Sequence, residues 1–381
     1  LGINLVGLLS EYTRQRLDAL AARITSKSAP PFGMPGIALF AEDSAGQQVQ
    51  VFRGEDAWGM PVTSASTACL ASVGKPAIAL LVLELVDEGR LSLDDTLEHA
   101  AQCDWGGVRH ATIGDMLSHR AGIPPILREE DVPYSSSLTA DSIRAAYRGL
   151  DLRPARTRHV QYSDVAYGML ADVVVQHREA PLSACLDRLN TRLGTRLTFG
   201  CKPQHEYLQV TGVPSPHADS AIAPLNSEFW HALSLPWAAI CGAIDDGMRI
   251  VRAFAAGSPV LSARIQQAAI LDPDAGLLSG GIAATNGQLG IAANPTLEWE
   301  RCPWGLGVEL RGEKAPHWSP KEASAVSFGH VGISGTLAWH DPIHGVTWGM
   351  TGTRSSHSGW LLRYGPMLGK AVIESLTTHR T

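Results

Sequence analysis

Lysine is scarce in this sequence, with six in 381 residues, and lysine plus arginine (31) are outnumbered by aspartate plus glutamate (37). The formal charge of −6 comes without any basic run, so the electrostatic footprint of a nucleic-acid or anionic-membrane partner is missing. Also missing is any stretch near the ~18 uninterrupted apolar residues that a membrane span requires. The six cysteines (Cys69, Cys103, Cys185, Cys201, Cys241 and Cys302) are scattered and form none of the close pairs that mark a zinc site or a redox motif. Free buried thiols in a reducing compartment are the expectation they leave. The opening run LGINLVGLL has neither a basic region nor a small-residue cleavage site, so it does not read as a signal peptide. Because the chain starts at Leu1 and not at Met, the expectation is that something was removed ahead of it, with cytoplasmic placement as the default. Internal repeats, low-complexity tracts and long linkers are absent too. What is plentiful is apolar side chain, 45% of all residues, which supports a large core and excludes a disordered or fibrous chain. Such a composition favours a small-molecule or peptide partner and leaves the oligomeric state open.

Along the chain, residues 8–25 space their apolar side chains as an amphipathic helix, broken by Pro30, Pro31 and Gly33. GIALFAE (36–42) and QVQVFRG (48–54) read as a hairpin around a polar turn. Residues 73–89 form an apolar helix ending at Gly89, a residue suited to a left-handed cap. From about 92 to 275 the signals are mostly helical, at 113–125, 167–178, 184–193 and 243–257. Strand signals resume at 304–310, 325–332, 335–341 and 345–352, before a last helix around 366–377. The fold class that follows is α+β: an antiparallel sheet built from both chain ends (1–91 and 276–381), flanked by terminal helices, with a mainly helical domain (92–275) inserted between them.

At the head of the apolar helix stands LASVGKPAIALL (70–81). Ser72 and Lys75 are three apart, so on a helix they share a face. A serine is a weak nucleophile until something takes its proton, and a lysine does that only when desolvation or nearby positive charge lowers its pKa. The all-round apolar segment after Lys75 implies such a buried site. Pro76 fits only the first helical turn, which puts Ser72 where unpaired amides and the helix dipole favour developing negative charge. Ser72–Lys75 is the only Ser-x-x-Lys pair in the chain. Alone it is a common tetrapeptide and weak evidence of function.

Two later motifs decide the reading. Tyr162-Ser163-Asp164 lies at a helix head and His330-Val331-Gly332 on a late strand. In the order Ser-x-x-Lys, Tyr-x-Asn, Lys/His-x-Gly, the chain resembles the serine β-lactamase and penicillin-binding superfamily, especially class C β-lactamase-like esterases and D-aminopeptidases. Segments 71–97, 111–124, 160–170, 304–310 and 328–342 resemble that family in its order, over roughly residues 33–375. The resemblance implies Ser72 as acylated nucleophile and Lys75 as its proton acceptor or charge holder. It implies Tyr162 as general base and acid, the phenol acting as a phenolate only beside a cation such as Lys75. Backbone amides of Ser72 and Ile333 would bind the oxyanion, with His330 and Gly332 lining the substrate side. His357-Ser358-Gly359 is a second match to the last motif, but it sits in a turn-like stretch, which favours His330.

The chain departs from the β-lactamase pattern where a drug carboxylate is held. His330 and Val331 replace a lysine and a threonine, and Asp164 replaces an asparagine, adding negative charge. Both changes point to neutral esters or amides. The leading expectation is a cofactor-free, metal-free serine hydrolase working through an acyl-enzyme, foremost a carboxylesterase. The alternatives are a D-amino-acid peptidase, an amidase or a β-lactamase, an acyltransferase passing the acyl group to an amine or alcohol, and a non-catalytic binding module on the same fold. The resemblance implies that His119 is a structural loop residue away from the nucleophile. Asp94-Asp95 and Asp245-Asp246 read as helix caps or solvated charges. Trp304, Trp339, Trp348 and Trp360 read as core, with one or more available to an acyl pocket.

Overall fold

The computed structural model describes residues 5–26, 33–101, 103, 105–150, 158–201, 206–274, 276–282, 290–291 and 297–377. Its strands are β1 (Gly36–Asp43), β2 (Gln48–Gly54), β3 (Ala68–Cys69), β4 (His159–Gln161), β5 (Thr198–Phe199), β6 (Ile240–Gly242), β7 (Ser279–Ile282), β8 (Leu297–Trp299), β9 (Glu309–Leu310), β10 (Phe328–Gly332), β11 (Thr336–Asp341) and β12 (Val346–Gly352). Its helices are α1 (Leu5–Ile24), α2 (Lys75–Asp87), α3 (Leu97–Ala100), α4 (Ile113–Leu117), α5 (Ala140–Arg148), α6 (Asp164–Arg178), α7 (Leu182–Leu193), α8 (Glu228–Ala232), α9 (Ile244–Arg252), α10 (Ala263–Ala269) and α11 (Trp360–Thr377).

The main sheet is antiparallel, in the order β2-β1-β12-β11-β10-β9. Its first hairpin turns where expected: the Asp43 carboxylate accepts from the Ala45 and Gln47 amides, and Gly46 takes the left-handed conformation (φ +80°) that this residue adopts without strain. Alternation along the strands sends Leu337, Trp339 and Trp348 to one face, where α1 and α11 cover them with Leu17, Leu20, Trp360 and Leu368. Ala338 points to the other face, against α9 and the turn just ahead of α2. Because His330 pairs with Ala338 in register, it points the same way, towards Ser72.

Helix α2 is buried from Lys75 to Val86, as a helix apolar on every side must be. It packs on the sheet side against α9 and on the other against α6 and α7. Gly89 closes it with φ +69°. Between the two sequence segments that form the main sheet lie the expected helices, together with two small sheets, β3-β6-β5 and β4-β7-β8. Strands of two to four residues are too short to show a period of two.

Other expectations shift at their edges. The helix expected over 113–125 stops at Leu117, because His119 and Gly122 turn left-handed (φ +58° and +66°) ahead of Pro124 and Pro125. In 304–310 only Glu309–Leu310 is strand, since Gly307 adopts φ +103°. The last helix starts at Trp360 and carries Pro366 within it, giving up one backbone hydrogen bond there. Pro30 and Pro31, proposed to break the first helix, lie outside the described residues. Asp246 caps α9 through the Ala243 amide (3.1 Å), and Asp95 accepts from the Ser92 amide. Among the described residues no helix is long and apolar enough to cross a membrane.

The thiol expectation needs correcting. Cys201 and Cys241 form a disulfide, although 40 residues separate them, because β5 pairs with β6 and brings their Cα atoms to 5.7 Å. Cys69, Cys185 and Cys302 are buried thiols.

Candidate active site

Ser72 sits in the 3-10 turn Ala71–Gly74, one turn before α2. The residue ahead of it, Ala71, is buried in a left-handed conformation (φ +47°), strained for a side chain with a Cβ. Pro76 occupies the first turn of α2, as its missing N–H allows. Gly74 lets strand β6 approach: a Cβ there would lie 2.8 Å from the Ile240 Cβ. The close approach brings the backbone of 237–240 alongside the Ser72 turn, with the Leu70 amide donating to the Ile240 carbonyl at 2.8 Å.

Lys75 is fully buried, and its Nζ donates to Ser72 Oγ (2.7 Å) and to the Trp237 carbonyl (3.0 Å). It lies 2.7 Å from Asp164 Oδ1. Asp164 is the first residue of α6 and Ser163 its cap, the serine hydroxyl accepting from the Ala166 amide. Burial pulls the Lys75 amine below its ordinary pKa, and the Asp164 charge opposes that shift; burial raises the Asp164 carboxyl, and Lys75 opposes it. Lys75 Nζ also stands 4.9 Å over the Tyr162 ring, a cation facing the electron-rich face.

Tyr162 approaches Ser72 from the other side. Burial first, and the Asp164 carboxylate second, push its phenol well above the usual range, and the nearby Ser72 hydroxyl only partly offsets them; the Tyr162 hydroxyl itself has no hydrogen-bond partner among the described residues. Burial and the Asp164 charge thus favour the phenol, while the cation that a phenolate would need, Lys75, stands over the ring. His119, which the resemblance placed on a loop away from the nucleophile, stands instead beside Tyr162. Its ring lies 4.6 Å from that of Tyr162, and its Nδ1 accepts from the Ser163 amide (3.1 Å), so it fixes the turn that carries Tyr162.

His330 is 3% exposed and lines the cleft. Its Nδ1 lies 2.8 Å from the Val331 carbonyl, so Nδ1 carries the proton and Nε2 is left as an acceptor. Burial, then the nearby Lys75, lowers its pKa to about 4, so at neutral pH it is uncharged. Gly332 is packed so tightly that a Cβ would meet Thr336 Oγ1 at 2.3 Å and the Leu70 carbonyl at 2.5 Å. Ile333 follows at the cleft wall, its carbonyl accepting from the Ser355 hydroxyl and the Ser356 amide. His357 and Gly359, the competing motif, stand at the same cleft.

All seven residues singled out from the sequence thus fall within one site: Ser72, Asp164, Tyr162, His330, Gly332 and Ile333 line the cleft and Lys75 lies beneath it. Sequence reasoning missed two contributors. Trp237 acts through its carbonyl, which no side-chain motif betrays. Glu309 lies in a segment read only as strand; its carboxylate takes Lys314 Nζ (2.7 Å), His317 Nε2 (3.3 Å) and Trp318 Nε1 (3.1 Å). Burial alone would raise that carboxyl, but Lys314 and His317 hold it at about 2.

The cleft encloses about 1350 Å³ including its open mouth, and its walls are largely apolar: Leu127, Leu225, Trp230, Trp304, Trp318 and Leu361 among them. Trp304 is the one of the four tryptophans singled out from the sequence that reaches it. Among the described residues no lysine or arginine lines it, and its two carboxylates, Asp164 and Glu309, are each paired with a buried lysine.

The fold is of the β-lactamase/transpeptidase-like class. A family model for beta-lactamase matches residues 32–359, and the chain belongs to that family, whose members are serine hydrolases. Over 141 residues it is 33% identical to penicillin-binding protein 4 of Amycolatopsis lactamdurans, a match covering 36% of this chain and 36% of that protein. The chain thus spans about a third of the length of that curated relative. Among solved structures it is similar to EstCE1, described as a hydrolase with promiscuous acyltransferase activity (TM-score 0.75, 17% identity, 96% of this chain and 100% of that one). It is also similar to the D-amino acid amidase of Ochrobactrum anthropi SV3 (TM-score 0.68, 19% identity, 98% and 99%).

Proposed function

We propose that the protein is a serine carboxylesterase acting through an acyl-enzyme on neutral esters with an apolar acyl group. The observation that carries this reading is the pairing of Ser72 and Lys75 with an apolar cleft that offers no cation among the described residues. A substrate carboxylate would meet a neutral imidazole at His330 and an alkyl group at Val331, and would lose its hydration without compensation.

In the first half-reaction the neutral Lys75 amine takes the Ser72 proton as Oγ bonds to the acyl carbon, and the amides of Ser72 and Ile333 receive the oxyanion. The bond to the leaving alkoxide then breaks as the Tyr162 phenol supplies its proton, and the Lys75 ammonium returns one to Tyr162. Water adds in the second half, giving its proton to the site as Ser72 leaves as a hydroxyl. A phenol held protonated by burial suits the donor role better than that of initial base. The apolar walls also favour an alcohol over water as the second nucleophile, so an acyltransferase is the reading kept beside hydrolysis. EstCE1, with its promiscuous acyltransferase activity, is consistent with it.

Nitrophenyl esters of increasing acyl length test the proposal. Each methylene buried in the cleft contributes about 0.8 kcal/mol, so kcat/KM should rise by up to roughly fourfold per added carbon until the cleft is full. A burst of nitrophenol and an acyl mass increment on the Ser72 peptide are expected, and Ser72→Ala and Lys75→Ala should each abolish turnover. A chromogenic cephalosporin hydrolysed as fast as the best ester would overturn the substrate assignment. Acyl transfer outpacing hydrolysis when an alcohol is added would establish the transferase reading.

A further inference from the structure

Away from the nucleophile, Cys201, His231 and Cys241 bring two sulfurs and an imidazole within 4.8 Å of one another, the one such cluster with metal-ligand chemistry among the described residues. Three separate pieces of chain supply them. Cys241 is in the middle of β6, Cys201 follows β5 and His231 lies on α8. Their convergence is built in: Thr198 pairs with Cys241, the Gly200 amide donates to the Ala239 carbonyl (2.8 Å), and Gly200 is left-handed (φ +70°). A Cβ on Gly200 would stand 2.8 Å from the His231 carbonyl and 3.0 Å from its Cβ, so glycine is what lets the Cys201 turn lie on α8.

His231 is the unusual member. It is 7% exposed, yet neither Nδ1 nor Nε2 has a hydrogen-bond partner. A buried imidazole normally satisfies both nitrogens. The adjacent Tyr207, whose ring stands edge-on at 5.1 Å, does not help, because its hydroxyl is committed to the Leu225 carbonyl. The unused lone pair sits beside two sulfurs that are ligands as thiolates.

We propose that Cys201, Cys241 and His231 form a binding site for a thiophilic divalent cation of the zinc class, available when the disulfide is reduced. Reduction by a dithiol moves two electrons and two protons onto the cysteine sulfurs and leaves the reductant as its own disulfide. Binding of the cation then releases the two thiol protons. Two sulfurs and one nitrogen satisfy three positions of the tetrahedral set that zinc prefers and leave the fourth to an exogenous ligand. The same two cysteines thus have two mutually exclusive uses, a covalent bond or a metal clasp.

The test uses the full chain, reduced with dithiothreitol and freed of reductant without air, titrated with Co²⁺. The expected result is one equivalent bound with a thiolate-to-cobalt charge-transfer band that Zn²⁺ bleaches, and no band for the oxidised protein. His231→Gln should lose the band yet still form the disulfide on reoxidation, read as a loss of two hydrogens by mass, which shows that the fold still brings the cysteines together. Cys201→Ser should lose both. Absence of the band in reduced wild type, or an undiminished band in His231→Gln, would overturn the proposal.

Discussion

Lys75 has three claims on it: it donates to Ser72 Oγ and to the Trp237 carbonyl, and it pairs with Asp164 at 2.7 Å. As a base it works only when neutral, so kcat/KM rises with pH through the apparent pKa of the Lys75–Asp164 pair. The carboxylate favours the ammonium form, so its removal in Asp164→Asn lowers the pKa of Lys75 further. The acidic limb of the pH–rate profile should therefore move to lower pH in that variant; an unmoved limb would mean that Asp164 does not set the charge of Lys75. At this scale the sequence was most informative. Ser72 and Lys75 are neighbours in a turn, and Tyr162 and Asp164 flank one helix cap, so each pair lies in a short motif, and the family resemblance of those motifs is what singled them out. Glu309 and the Trp237 carbonyl are brought in by tertiary packing alone. His119 escaped because its contact with Tyr162 crosses two loops, and nothing in LSHRAGIP marks the histidine as facing that ring.

The elements hold these residues through a few tight contacts. Gly74 has an ordinary helical φ of −75°, so Gly74→Ala costs nothing in backbone strain, but its Cβ would collide with Ile240 at 2.8 Å. Strand β6 must then retreat from the nucleophile turn, at roughly 1–3 kcal/mol, and carry the Trp237 carbonyl away from Lys75. A fall in kcat larger than the fall in stability is expected, measured by steady-state kinetics beside a denaturant melt. On β9, Glu309 anchors Lys314, His317 and Trp318 with almost no exposure. Glu309→Ala would strand a buried lysine charge, with an expected loss of about 3–5 kcal/mol in urea unfolding at neutral pH. The sign with pH follows from its depressed pKa: the contribution is complete above the unfolded carboxyl value of 4.5 and fades as pH falls towards about 2, so wild type and variant should converge in acid. Long elements such as α2 and β10 to β12 were legible because their patterns run for several residues. The short strands β3 to β8 depend on partners far away in sequence, and the last helix, expected around 366–377, begins six residues earlier at Trp360 and runs through Pro366.

On the scale of the molecule, the main sheet takes its strands from both halves of the chain, and the cleft opens where β10 meets the Ser72 turn and α6. Topology of that kind was readable from the order of helical and strand signals. The cleft's size, and the absence of a lysine or arginine from its wall among the described residues, were not, because its lining is gathered from segments between Ala71 and Leu362. The left-handed backbone at Ala71 ties the nucleophile to this larger assembly. A conformation costing ~1–3 kcal/mol persists only while β10, β11 and β6 all press on it, so the turn acts as a latch kept shut by its surroundings. Warming that merely loosens those neighbours would let the latch spring before the sheet or the helices melt. Ester hydrolysis should accordingly fade several degrees below the midpoint seen by circular dichroism and return on cooling; coincident loss of activity and ellipticity would show that the turn has no independent give.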